Sequence, residues 1–199
     1  MTCGAARVTT IDATGEGTVE NSVFAESPVL NSQLFLIDAV WDIRNNDFLG
    51  GGTAIWAFTA AASSVALRNN LFVDSADPAL IENAPAVINP AEHGLFDTVP
   101  NTGTVVLGAG TLIAVDPQLR LWTPNGDCDD DDLLPTPTSP LIDAGDPAIL
   151  DLDGSRSDIG ATGGPGADPA AFVDLDLDGV PLVADCSDAD PAVLAPAAT

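Results

Sequence analysis

Basic residues are scarce in this chain of 199 residues. It has five arginines, one histidine and no lysine against 30 acidic residues, which gives a formal net charge of −25. Such a charge repels the phosphate groups of nucleic acids and of anionic membrane surfaces. The composition therefore argues against nucleic acid as a partner.

Long apolar runs and cysteine motifs are also missing. No segment approaches the length of a membrane span, so we expect no membrane insertion. The first ten residues, MTCGAARVTT, lack the basic and apolar parts of a signal peptide. We therefore expect either that the chain is not exported or that a leader is missing from it.

The cysteines number three: Cys3, Cys128 and Cys186. They form no CxxC motif and no cluster with histidine, which argues against zinc. Cys128 and Cys186 each lie in an aspartate-rich stretch, GDCDDDD and ADCSDAD. A disulfide between these two is one pairing, and the spacing does not assign it.

A repeat of 24 residues runs through the first half of the chain. It places phenylalanine at regular intervals, in the segments NSVF, NNDF, NNLF and HGLF that end at Phe24, Phe48, Phe72 and Phe96. A second column holds Asn21, Asn45 and Asn69, and the only histidine takes its next place. A period of this length is typical of leucine-rich repeats and of parallel β-helices.

The local patterns favour the β-helix. The segments AVWDIRNNDF and SVALRNNLF alternate apolar and polar residues as strands do, and the leucine-rich pattern LxxLxLxxN is absent. Because equal positions of successive coils stack in a solenoid, we predict a ladder of phenylalanines inside it. We also predict stacked asparagines in a turn with left-handed backbone, with Ile43 facing inward and Arg44 outward.

The closing motifs make a resemblance specific. The runs VDPQLRLW, SPLIDAGDP and DLDGSRSDIGATGGP resemble the terminal coil and cap of bacterial proteins in the pectin-lyase-like superfamily. The resemblance covers roughly residues 15–166 and implies an all-β fold, a right-handed parallel β-helix with a C-terminal cap. Residues 1–14 would be an incomplete coil or a truncated start, and residues 167–199 a separate acidic repeat and tail.

That tail, DLDLDGVPLVADCSDADPA, has the spacing of a calcium loop. Carboxylates at alternating positions before a glycine can converge on one Ca2+, with a carbonyl and a later aspartate completing the shell. The predicted ligands are Asp174, Asp176, Asp178, Val180 and Asp185, with Asp185, Asp188 and Asp190 opening an overlapping second site. The segment resembles thrombospondin type 3 repeats and a metal-binding repeat of secreted bacterial proteins. The alternative is an acidic tail that only keeps the chain soluble.

Two further acidic stretches are interpreted as structural. In DLDGSRSD, Asp151, Asp153 and Asp158 surround Gly154, but an arginine inside the loop opposes cation binding. We expect a cap turn in which Arg156 pairs with a carboxylate and covers the last coil. GDCDDDD lacks the glycine-turn spacing and is expected to be a solvated loop.

An enzyme is the alternative that the superfamily suggests, since it includes polysaccharide lyases and glycoside hydrolases. A lyase site could combine Arg44 and Arg68 as bases with Asp42 and Asp47 as calcium ligands. A solvated face of ion pairs is the simpler interpretation. We therefore expect an extracellular or cell-surface, calcium-binding β-helix that binds polysaccharide or another surface partner, either whole or as a non-catalytic fragment of an adhesin.

Overall fold

A computed structural model describes most of the chain before residue 168. The residues it describes are 15–25, 32–37, 39–58, 64–75, 80–83, 86–100, 105–125 and 131–167. Every structural statement below concerns these residues. All regular structure among them is β-strand, which confirms the predicted all-β class. No described segment forms a helix long and apolar enough to cross a membrane.

Most of the strands form three parallel sheets. The first sheet contains β1 (Gly15–Glu20), β4 (Ala39–Arg44), β7 (Ser64–Arg68) and β10 (Val87–Glu92), in that order. The second contains β2 (Val23–Ala25), β5 (Asp47–Leu49), β8 (Leu71–Val73), β11 (Leu95–Phe96) and β12 (Leu112–Ile113). The third contains β3 (Leu34–Ile37), β6 (Ile55–Phe58) and β9 (Leu80–Asn83). An antiparallel hairpin of β13 (Leu119–Leu121) and β14 (Asp132–Pro135) follows.

The register of the second sheet reproduces the sequence repeat. Phe24 lies opposite Phe48, Phe48 opposite Phe72, and Phe72 opposite Phe96. The first sheet keeps the same spacing except at Val87 and Ile88, which lie one residue closer in sequence to their partners, and a bulge between Ile88 and Ala91 restores it. The third sheet departs from it, since Leu34 pairs with Ile55 and Ile55 with Leu80. The connections, rather than the paired strands, therefore absorb the differences in length.

One core cluster draws buried residues from all three sheets, and the four phenylalanines belong to it. Their rings stack nearly parallel along the ladder, with successive centroids 5.0, 5.2 and 4.4 Å apart. Phe48, Phe72 and Phe96 are essentially inaccessible to solvent. The predicted ladder is therefore confirmed, and its stacking adds to the hydrophobic burial of each ring.

A second core covers the opposite face of the second sheet. Because side chains alternate along a strand, Leu71 and Val73 point away from the face that carries Phe72. They pack with residues of the C-terminal third, and the buried members of this cluster are Ala25, Leu49, Leu71, Val73, Leu95, Leu133, Leu141 and Ile159. The strands β5 and β8 of the second sheet are thus buried on both faces.

The turn between the first and second sheets is built from asparagine. Asn21, Asn45 and Asn69 have positive φ angles of 49–55°, and His93 continues the column with φ 51°. In the neighbouring column Asn46 Nδ2 donates to Asn70 Oδ1 at 3.0 Å, between equivalent positions of adjacent repeats. The predicted left-handed turn and its amide ladder are confirmed. Asparagine suits this place because its short polar side chain tolerates left-handed backbone.

Residues 141–167, here called the strap, lie across this asparagine turn. Asn69 Oδ1 accepts a hydrogen bond from Asp146 N, and Asn45 Nδ2 donates to Asp158 O. Asn21 Nδ2 donates to the Gly163 carbonyl at 2.7 Å. The strap therefore contacts three successive repeats along their side. This differs from the expectation that DLDGSRSD covers the last coil, because the asparagine column offers donors and acceptors that a segment running along it can satisfy.

Candidate functional site

The predicted calcium ligands Asp174, Asp176, Asp178, Val180, Asp185, Asp188 and Asp190 lie outside the described residues. The same holds for Cys3, Cys128 and Cys186. Among the residues that are described, no group of three or more histidine, cysteine or acidic side chains is arranged to hold a metal ion. The calcium site therefore remains a prediction from the sequence.

The two arginines on the first sheet, Arg44 and Arg68, form ion pairs. Arg44 bonds Glu20 at 2.7 Å and Asp42 at 2.9 Å, while Arg68 bonds Asp42 at 3.1 Å and approaches Asp146. The hydrogen bond to Glu20 raises the pKa of Arg44 above its usual value, with the charges of Glu20 and Asp42 adding to it. A proton-accepting arginine needs the opposite shift. Ile43 is buried and Arg44 partly exposed, as the alternation predicts.

Asp47 does not join that surface. Its side chain is buried with the second core, where Oδ1 accepts a hydrogen bond from Ala161 N at 2.9 Å. Burial raises the pKa of Asp47 to about 7, although this hydrogen bond opposes the shift. The structure therefore brings Arg44, Arg68 and Asp42 together but separates Asp47 from them, because Asp47 lies on a different sheet. The four-residue lyase site considered from the sequence is not assembled.

The loop Asp151–Asp158 uses its carboxylates to hold backbone. Asp151 Oδ2 accepts from Asp158 N, Asp153 Oδ1 accepts from Ser155, and Asp158 Oδ1 accepts from Asp143 N. Burial, together with the nearby charges of Asp151, Asp143 and Asp153, raises the pKa of Asp158 to about 6, although the hydrogen bond from Asp143 N opposes the shift. These contacts agree with the structural interpretation of this loop.

Arg156 departs from its expected partner. Its guanidinium donates to the carbonyl oxygens of Gly145 and Ala144, and Nη2 lies 3.5 Å from Nδ1 of His93. Among the described residues no carboxylate pairs with Arg156, which differs from the prediction. The turn at residues 144–145 presents backbone carbonyls to Arg156, and they accept its N–H groups. Arg156 therefore ties the strap to itself and to the histidine that ends the asparagine column.

A pocket of about 390 Å³ opens where the second sheet meets the hairpin. It is lined by Val73, Asp97, Asp116, Pro117, Leu119 and Trp122. Val73 ends β8, Asp97 follows β11, and the other four belong to the segment that leads into and along β13. The volume lies within the range of about 300–1,000 Å³ that is common for small-ligand sites.

The indole of Trp122 is held in place at the edge of this pocket. Its Nε1 donates to Asp74 Oδ2 at 3.1 Å, and the side chain packs against the second core. The backbone N–H of Asp74 in turn donates to Asp97 Oδ2 at 2.9 Å. The chain Trp122–Asp74–Asp97 thus links the aromatic wall of the pocket to one of its carboxylates. Sequence reasoning missed this site because Asp97 and Trp122 lie 25 positions apart with no local motif between them.

The two carboxylates that line the pocket are only partly satisfied. Asp97 Oδ2 accepts from Asp74 N, and Asp116 Oδ1 accepts from Gln118 N at 2.8 Å. The arginine closest in sequence, Arg120, is turned toward Asp132 at 3.5 Å. An aromatic surface beside two carboxylates can stack on a sugar ring and bind its hydroxyl groups.

A second, smaller pocket of about 270 Å³ lies on the first sheet. Its lining includes Arg68, Asn89, Pro90 and Glu92. No aromatic side chain of the described residues lines it, so their lining offers less for a sugar ring than that of the Trp122 pocket.

Comparison with known proteins adds no assignment. No protein-family model matches the chain, and neither a curated protein nor a solved structure is significantly similar to it.

Proposed function

We propose that the chain is a right-handed parallel β-helix with about 24 residues per coil. Three features support this: parallel sheets with repeat-length registers, a stacked phenylalanine ladder, and left-handed asparagine turns between the first and second sheets. All three occur when successive coils of one chain stack in register. The resemblance to pectin-lyase-like surface proteins rests on this architecture and on the closing sequence motifs.

We further propose that the protein is extracellular or attached to a cell surface, and that it binds polysaccharide without acting on it. The observation that carries this is the pocket with Trp122 as its wall and Asp97 and Asp116 as its polar groups. Tryptophan fixed by a hydrogen bond supplies a flat apolar surface at low entropic cost. Carboxylates beside it accept hydrogen bonds from sugar hydroxyls.

Glycan binding by purified protein tests this proposal. Immobilised neutral, acidic and amino polysaccharides would be incubated with wild type, Trp122→Ala and Leu121→Ala. Leu121 is a matched control because it is the exposed neighbour of Trp122 and does not line the pocket. Loss of about 1–3 kcal/mol of binding free energy in Trp122→Ala alone is expected. If no glycan is retained, or both variants bind like wild type, the pocket is not a polysaccharide site.

We also propose that the aspartate repeat binds Ca2+ and becomes ordered by it. The support is the spacing of Asp174, Asp176, Asp178 and Asp185 around Gly179. Calorimetric titration of wild type should give saturable binding, and Asp174→Ala/Asp178→Ala should abolish it. Equal, weak uptake by both proteins would identify the segment as an acidic tail.

A glycoside hydrolase is the second candidate, and one observation favours it. Two carboxylates, Asp97 and Asp116, line the same pocket, and most glycosidases use such a pair. Prolonged incubation with any polysaccharide that binds should then release reducing ends, and Asp97→Asn should stop the release while retaining the ligand. Binding without any release supports the non-catalytic function.

A further inference from the structure

The charges around the Trp122 pocket favour a ligand with a positive charge. The pocket wall carries two carboxylates, and a third, that of Asp74, accepts the hydrogen bond of the Trp122 indole. In the described part of the chain no arginine neutralises them. Arg44 and Arg68 pair on the first sheet, Arg120 pairs with Asp132, and Arg156 bonds carbonyl groups. The potential in the pocket is therefore negative.

Each pocket carboxylate also has an oxygen that faces no described hydrogen-bond donor. Oδ2 of Asp97 is bound by the Asp74 amide and Oδ1 of Asp116 by the Gln118 amide, which leaves Oδ1 and Oδ2 respectively. A carboxylate oxygen of this kind binds an ammonium group more strongly than a hydroxyl, because both partners of the hydrogen bond are then charged and attract each other. The aromatic face of Trp122 adds a cation–π attraction for the same group.

Resting on the proposed polysaccharide binding, we propose that this pocket selects sugars that carry a protonated amine, as in glucosamine units of a deacetylated glycan. An acidic sugar would be repelled by Asp97 and Asp116. A neutral or N-acetylated sugar would keep the stacking on Trp122 but lose the ion pair. A site built from basic residues would have the opposite preference, for uronic acids.

The whole chain is acidic, so non-specific attraction to a cationic glycan has to be separated from binding in the pocket. Short glucosamine oligomers at about 150 mM salt reduce that attraction, because exposed charges farther apart than about 8 Å are then largely screened. Glu16→Gln removes one exposed acid on the first sheet. It therefore changes the net charge by as much as Asp97→Asn does without touching the pocket.

The test is calorimetry of glucosamine oligomers and of the same oligomers N-acetylated, with EDTA present so that the aspartate repeat carries no Ca2+. Wild type should bind the amine form at least about tenfold more tightly, the worth of one charge-assisted contact. Asp97→Asn and Asp116→Asn should each remove most of this preference, while Glu16→Gln retains it. Trp122→Ala should weaken both ligands.

The outcomes separate the inference from the function on which it rests. Equal or tighter binding of the N-acetylated oligomer, lost in Trp122→Ala, would overturn amine selection and leave polysaccharide binding in place. An equal loss of amine preference in Glu16→Gln and Asp97→Asn would assign it to overall charge and overturn the inference. If neither oligomer binds, amine selection is also overturned. The proposed polysaccharide binding then stands only if the protein retains some other glycan.

Discussion

Asp47 is the buried acid whose removal should change stability most. It lies in the second core with one hydrogen bond, from Ala161 N, and burial raises its pKa from 3.8 to about 7. Each pKa unit corresponds to about 1.4 kcal/mol. Carrying its charge in the folded state at pH 8 therefore costs about 4 kcal/mol. That cost is large against the total stability of about 5–15 kcal/mol that is usual for a domain.

The sign follows from proton linkage. The pKa is higher in the folded chain, so between pH 4 and pH 7 the folded state binds more protons than the unfolded state. The contribution of Asp47 is most favourable below pH 4 and declines as pH rises to 7. Asp47→Asn keeps the acceptor for Ala161 N and removes the charge, but its unpaired amide hydrogens offset about 1–3 kcal/mol. A net gain of about 1–3 kcal/mol is therefore expected at pH 8, and a loss of about 1–3 kcal/mol at pH 4, so the effect of the substitution changes by about 4 kcal/mol between the two pH values.

Urea unfolding at pH 4 and pH 8 measures this difference. The full chain would be compared as wild type, Asp47→Asn and the control Glu16→Gln, which removes an exposed acid. Taking the difference between wild type and variant cancels the repulsion among the many other carboxylates. The reasoning is refuted if Asp47→Asn changes the free energy of unfolding by the same amount at both pH values.

Three further predictions concern the ladders and the strap. Phe72→Ala removes a ring stacked on both sides and should lower the free energy of unfolding by about 3–5 kcal/mol in urea, with Phe72→Leu losing less. Asn45→Ala loses the bond to Asp158 O and also places alanine, which tolerates left-handed backbone less well than asparagine, at φ 51°. It should therefore destabilise the protein more than Asn45→Gly, which loses the same bond but adopts this φ without strain. Equal losses in these two would exclude backbone strain as the cause. Asp158→Asn should raise the melting temperature at pH 8 more than at pH 5, because the pKa of Asp158 is raised to about 6 and its favourable contribution is lost above that pH. An equal change at both pH values would contradict this.

The repeat made the ladders predictable from sequence. In stacked parallel strands, residues one repeat apart are neighbours, so columns such as Phe48–Phe72 and Asn46–Asn70 are direct contacts. Alternation along β4 likewise placed Ile43 inside and Arg44 outside. Both predictions require only the pattern of residues within one strand and the length of the repeat.

The alternation of polar and apolar residues predicted less about the second sheet. Both faces of β5 and β8 are buried, so polar and apolar residues no longer mark two sides. Asp47 shares its register with Val23 and Leu71 and points into the second core. Asp47 is close to Arg44 in sequence, which suggested a shared surface. The asparagine turn lies between the two residues, however, and changes the direction of the chain. The path of the strap could not be predicted either, because it depends on a close approach at Gly163, where a Cβ atom would clash with the backbone carbonyl of Asp158 and also crowd the Asn45 amide.

The Trp122 pocket forms where the regular ladder ends. Within the second sheet each strand pairs with its neighbour at a constant spacing from Phe24 to Phe96. The next pair, Leu95 with Leu112, abandons that spacing, and the chain then turns back as the β13–β14 hairpin. A gap opens between hairpin and sheet, and Val73 and Asp97 of the repeat line it together with residues of the segment that follows. A ligand site in a repetitive chain is therefore to be sought where the repeat ends, because within the repeat equivalent positions already pack on one another.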